Sequence, residues 1–177
     1  SADLTIAMDL YSRCILGLRL TPGSTKSIDV AGVLMEALQP FDTPTDWGTS
    51  ARWPYHGLPD TLLVDPTRTK VSRFTRAGIL PETLVVDHGA AYLSEHLTSG
   101  CARLGISIQP ARIYQPTDKS PVERFFRTLD DLLQELPGYK GADVAGRGED
   151  PEAEAVYTVP QLEQIIREWV ATVYHLR

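Results

Sequence analysis

The stretch TLVVDHGAAYLSEHLTSGCARLGISIQ, residues 83–109, sets the architecture of this chain. Thr83 to Val86 is an uninterrupted apolar run of strand length. Leu93, Leu97, Cys101 and Leu104 follow at helical spacing, and Gly105 is a natural helix stop. Ile106 to Gln109 reads as a further strand. The sequence therefore predicts strand, helix, strand. Asp87 stands at the C-terminal end of the first strand, where the turn at His88-Gly89 lets its carboxylate face a crevice rather than the core. In open sheets, ligands collect at that edge.

Downstream, a polar loop from Ala111 to Lys119 leads to Ser120-Pro121-Val122-Glu123. This is an S-x-x-E pattern with proline at the first helical position, so a helix is expected to begin there. Its apolar positions are Val122, Phe125, Phe126, Leu129, Leu132, Leu133 and Leu136, which turns Glu123, Arg124, Arg127, Asp130 and Asp131 toward the other side. Pro137-Gly138 ends it. A flexible acidic stretch is expected over about 138–157. Within it, Arg147 faces five acids, Asp143, Glu149, Asp150, Glu152 and Glu154. A last amphipathic helix carries Leu162, Ile165, Ile166, Trp169, Val170 and Val173.

Upstream, Leu4–Leu10 and Cys14–Leu20 are short apolar runs joined by Tyr11-Ser12-Arg13, the pattern of a tight hairpin. Ile28, Ala31, Leu34, Met35 and Leu38 then recur at helical intervals up to Pro40. About 41–81 reads as an inserted loop region with one short strand at Thr61 to Val64. It contains LPDTLLVD (Leu58–Asp65), which echoes LPETLVVD (Leu80–Asp87), too little for a repeat architecture. The expectation is a single α/β domain over 1–177, with helices flanking a mixed sheet.

With 177 residues, 42% apolar and 23% charged, the composition is that of one soluble domain with a core of its own. Mean hydropathy is −0.16. No run approaches the roughly 18 apolar residues of a membrane span and no leader opens the chain, so membrane and secreted classes are not expected. Cys14 and Cys101 show no metal-ligand spacing, which sets aside a zinc module and fits a reducing, bacterial cytoplasmic location. The formal charge of −6 has the wrong sign for binding nucleic acid by bulk charge. Local patches would have to do it, such as the acid-free stretch with Arg68, Lys70, Arg73 and Arg76.

Two carboxylates invite a chemical reading, and each has a local alternative. Asp87 is a turn residue or helix cap, or a ligand at a sheet edge. Glu123 is the capping-box partner of Ser120, or an ionised carboxylate at the positive end of a helix, the form that Mg²⁺ requires. The pair is more informative than either member, because 35 residues separate Asp87 from Glu123.

That constellation resembles the DDE transposase and retroviral integrase superfamily, with its ribonuclease H-like core. The residues that carry the resemblance are VVDHGAAYLSEHL (Val85–Leu97), LGISIQPAR (Leu104–Arg112), QPTDKSPVERFFRTL (Gln115–Leu129) and AMDLYSRCILG (Ala7–Gly17). WPYHGLP (Trp53–Pro59) and WVATVYHLR (Trp169–Arg177) add a similarity to bacteriophage Mu-type bacterial transposases. The resemblance implies metal-dependent DNA strand cleavage and strand transfer. Asp87 and Glu123 would each hold one of two Mg²⁺ or Mn²⁺ ions roughly 3.5–4 Å apart. It also implies DNA as partner, a homo-oligomeric nucleoprotein complex and a partner ATPase, and it puts Lys119, Arg124 and Arg127 against DNA.

The family uses three carboxylates, and its first lies on a strand preceding the segment that resembles AMDLYSRCILG. That first strand is therefore expected to lie upstream of Ser1. Asp9 is then expected to bond across the hairpin turn, to backbone or to Arg13, rather than to replace the missing Asp. Asp65 is expected to be a loop residue. His88 is a turn histidine or a phosphate contact, and Arg127 pairs with Glu123 one turn away or meets DNA. A different class of function is a catalytically incompetent core serving assembly, in which exposed strand edges invite dimerisation. A Holliday-junction resolvase would share the metals but matches QPTDKSPVERFF poorly.

Overall fold

A computed structural model describes residues 2–39, 44–47, 51, 79–111, 116–137 and 156–176, with backbone only at 45 and 116–120. The elements are β1 (Ala2–Met8), β2 (Ile15–Pro22), α1 (Ser27–Leu38), β3 (Thr83–Val86), α2 (Glu95–Arg103), β4 (Ser107–Pro110), α3 (Pro116–Glu135) and α4 (Val159–Thr172). Single 3-10 turns stand at Thr45–Trp47 and Tyr174–Leu176.

The described strands form two separate ladders. β1 and β2 are antiparallel, with Thr5 opposite Arg19 and Leu4 opposite Leu20. β3 and β4 are parallel, with Thr83 opposite Ser107. Both directions expected of a mixed sheet are present, but no described strand joins the two ladders.

The helix ends follow local chemistry. The Ser94 hydroxyl accepts from the Leu97 N–H at the start of α2. At its end, Gly105 takes φ +73°, and the Ile106 and Gly105 N–H groups return to the Cys101 and Ala102 carbonyls. This is the glycine stop expected from the sequence. Thr158 and Gln161 cap α4 reciprocally.

The start of α3 differs from the sequence expectation. The helix begins at Pro116 rather than at Ser120-Pro121, and Pro121 lies inside it. A proline at either site satisfies the first-turn rule. Pro121 falls so early that its missing N–H removes a single bond near the end of the helix. The capping-box reading of Glu123 is therefore corrected, because Glu123 sits seven residues beyond Pro116.

Two main cores result. Ile15 and Leu18 of β2 pack with Phe125 and Leu129 of α3 and with Ile166, Val170 and Ala171 of α4. Val30 and Leu34 of α1 pack with Leu97 and Cys101 of α2 and with Ile106. Gly17 lets α1 approach β2: a Cβ there would lie 2.5 Å from the Val33 carbonyl oxygen.

Of the region 41–81, residues 44–47, 51 and 79–81 are described. Trp47 and Ala51 are buried in the first core, and the Ile79 N–H bonds the Ala37 carbonyl. Burial of an indole outweighs the loop-like composition around it. The short strand at 61–64, Asp65, the Arg68–Arg76 stretch and nearly all of 138–157 lie outside the described residues.

The outer edge of β2 is closed by side chains. Arg167 of α4 grips both Glu36 oxygens, at 2.5 and 3.0 Å, reaches Glu163 at 3.0 Å, and donates to the Leu18 carbonyl. The same carboxylates accept the Leu18 and Leu20 N–H groups, at 3.3 and 2.8 Å. An edge that would otherwise present bare backbone is thereby satisfied.

Candidate functional site

Asp87 follows the last residue of β3, and its side chain is exposed. The Ala111 N–H bonds the Val86 carbonyl at 2.8 Å, continuing the parallel ladder up to this point. One Asp87 oxygen accepts from the His88 N–H at 2.7 Å. The His88 Nε2 lies 2.7 Å from the Ala111 carbonyl, which can only accept, so this nitrogen carries the hydrogen. The histidine ring thus ties the Asp87 turn to the end of β4.

Glu123, Arg124 and Arg127 are exposed on α3, opposite buried Phe125 and Leu129. No ion pair joins Glu123 to Arg127 among the described residues. The side chain of Lys119 lies outside them. Asp87 and Glu123 stand on elements of different cores, β3 in the second and α3 in the first. Both are hard oxygen donors of the kind Mg²⁺ and Mn²⁺ take. Their number is short: among the described residues no group of three or more His, Cys, Asp or Glu side chains forms a metal shell.

Asp9 is occupied in the hairpin turn. Its Oδ2 accepts from the Ser12 N–H at 2.7 Å and the Ser12 hydroxyl at 2.5 Å, and its backbone carbonyl accepts the Arg13 N–H. Burial works to raise its carboxyl, but the Ser12 bonds, the Tyr11 N–H and the Arg13 charge together hold it below the ordinary carboxylate range. Arg13 closes the turn at φ 65°, in the left-handed region.

Sequence reasoning passed over what this turn displays. Tyr11 is 97% exposed at the tip and Leu10 44%. Behind the tip, the Tyr174 hydroxyl donates to the Arg13 carbonyl at 3.4 Å. The Tyr174 ring meets Phe125 edge-on at 5.0 Å, and Trp169 lies 5.9 Å from it. Burial and then Cys14 push the Tyr174 hydroxyl up, while the charges of Arg13 and Arg124 pull it the other way. The available signal was an aromatic at the centre of a predicted hairpin turn.

A family described as the TnsB C-terminal domain matches residues 76–138, the segment that holds both Asp87 and Glu123. The transposase for transposon Tn552 of Staphylococcus aureus is 27% identical over 138 residues, 77% of this chain. The chain spans only 22% of that protein's length. A cryoEM structure of the simian T-cell lymphotropic virus intasome in complex with PP2A regulatory subunit B56 gamma superposes over 96% of this chain and 41% of its own. There the identity is 17% and the TM-score 0.49. By sequence, the chain is similar to transposases.

Proposed function

We propose that the chain is the catalytic-core portion of a DDE-type transposase with a ribonuclease H-like fold, acting on DNA in recombination by strand cleavage and strand transfer. The observation that carries this reading is the match over 76–138, which encloses Asp87 at a parallel strand end and Glu123 on an exposed helix face. The two carboxylates would each hold a divalent cation, Mg²⁺ or Mn²⁺. Such ions supply Lewis-acid stabilisation of phosphoryl oxygens and an activated oxygen nucleophile. The family resemblance also points to DNA ends and target as substrates, to a homo-oligomeric nucleoprotein complex and to a partner ATPase.

The test is Mn²⁺ titration of the chain with amide signals followed by NMR. Broadening centred on Asp87 to Gly89 and on Glu123, lost in Asp87→Asn and Glu123→Gln respectively, is expected. Broadening elsewhere, unchanged in both variants, would refute the assignment. The alternative from the sequence is a structural assembly domain. It predicts no metal-dependent nicking of plasmid DNA in any form of the protein.

A further inference from the structure

The hairpin tip presents a combination that packing does not explain. Tyr11, at 97% exposure, gains nothing from burial, yet the turn beneath it is fixed by Asp9 through two Ser12 bonds and the Arg13 N–H. Arg13 accepts a left-handed backbone there, a conformation that Asn or Gly adopts at lower cost. The tip is also connected to the helix that carries Glu123. Tyr174 bonds the Arg13 carbonyl and packs on Phe125, whose neighbour Arg124 is exposed. Exposed Tyr11 therefore lies two residues from exposed Arg13, and the Tyr174 bridge leads from the Arg13 carbonyl to Phe125, next to Arg124 on α3. Of the nearby acids, Asp9 is committed within the turn, and Glu123 is exposed on α3.

We infer that the β1–β2 hairpin tip is a DNA contact, in which Tyr11 stacks on an unpaired base and Arg13 and Arg124 meet the flanking phosphates. An aromatic face accepts any base, and cations beside it hold the backbone, which is how sequence-tolerant single-strand sites are built. A tip held rigid loses little side-chain and loop freedom on binding. In a chain of net charge −6, such a local pair of cations is where a polyanion can approach. The inference rests on the DNA-acting reading above and names the part of DNA that this surface takes.

The experiment is fluorescence anisotropy with two labelled probes, a duplex carrying a short single-stranded extension and a blunt duplex of the same length. The proteins are the wild-type chain, Tyr11→Ala, Tyr11→Phe and Arg124→Ala. Loss of one stacked base corresponds to about tenfold weaker binding of the extended probe by Tyr11→Ala, with the blunt probe little changed and Tyr11→Phe close to wild type. Arg124→Ala is expected to lower the slope of log affinity against log salt by roughly 0.7–0.9. Thermal unfolding of Tyr11→Ala should match wild type, since the ring is exposed. If wild type binds and Tyr11→Ala weakens neither probe, or both equally, the stacking inference falls while the transposase reading stands. If wild type binds neither probe, the DNA-acting reading falls and takes the inference with it.

Discussion

Replacing Arg167 by methionine, Arg167→Met, keeps the length of the side chain while removing its charge and all its donors. The arginine is only 15% exposed, and its partners Glu36 and Glu163 are 21% and 25% exposed. Without it, the Glu36 and Glu163 carboxylates lose the guanidinium that bonds them both, and the Leu18 carbonyl loses a donor. Removing one partner of a buried ion pair costs about 3–5 kcal/mol. Residual water around these carboxylates screens part of that, so about 3 kcal/mol is expected, or ~6–12 °C in Tm for a chain of this size. Urea unfolding should show a lower midpoint with an unchanged slope. Hydrogen exchange gives a local check. The Leu18 and Leu20 N–H groups bond Glu36 and Glu163, whereas antiparallel alternation turns the Arg19 N–H toward β1. Leu18 and Leu20 should therefore lose protection before Arg19 does. The triple variant Glu36→Met, Glu163→Met, Arg167→Met should recover little of the loss, because the Leu18 and Leu20 N–H groups and the Leu18 carbonyl then lose these side-chain partners. A deficit below about 1 kcal/mol for Arg167→Met, with all three amides unchanged, would place the triad among surface ion pairs and refute the edge-closing role.

Asp9→Ala removes both Ser12 bonds and is expected to destabilise the chain by about 2 kcal/mol, read by thermal melting. Because the Asp9 carboxyl lies below its ordinary value when folded, its contribution is present above about pH 4 and fades as acid protonates it. The gap between wild type and Asp9→Ala should accordingly narrow below that pH; a gap constant down to pH 2 would refute the account. Gly17→Ala forces a methyl against the Val33 carbonyl and should lower stability by about 1–3 kcal/mol in urea unfolding, more than Gly100→Ala at an exposed site. Gly105→Ala meets open space but a left-handed backbone, so about 1 kcal/mol is expected; Gly105→Asn should lose less.

Much of the fold is legible in local pattern. Thr83–Val86 is the β3 run without adjustment, and the Leu97/Cys101 stripe and Gly105 bound α2 because periodicity and cap chemistry agree there. The hairpin runs are offset by about two residues, since Asp9 and Leu10 serve the turn rather than the strand. The start of α3 at Pro116 is not legible because Pro116 and Pro121 carry the same first-turn signal, which local pattern does not separate. The burial of Trp47 is not legible, because composition says nothing about where an indole lands. The Glu36–Arg167 contact spans 131 residues and leaves no trace in any local window. The spacing of Asp87 and Glu123 was visible, but their positions on two differently packed cores were not.

The burial of Trp47 and Ala51 at one end, and the bond from Ile79 to Ala37 at the other, fasten the long intervening segment at both of its feet. Cutting into either foot removes what holds it: Trp47 and Ala51 belong to the core cluster of Ile15, Phe125 and Val170, and Ile79 bonds the last turn of α1. A variant that deletes residue 47, 51 or 79 gives up core burial or an anchoring bond, and a tag or reporter is best placed well away from those residues.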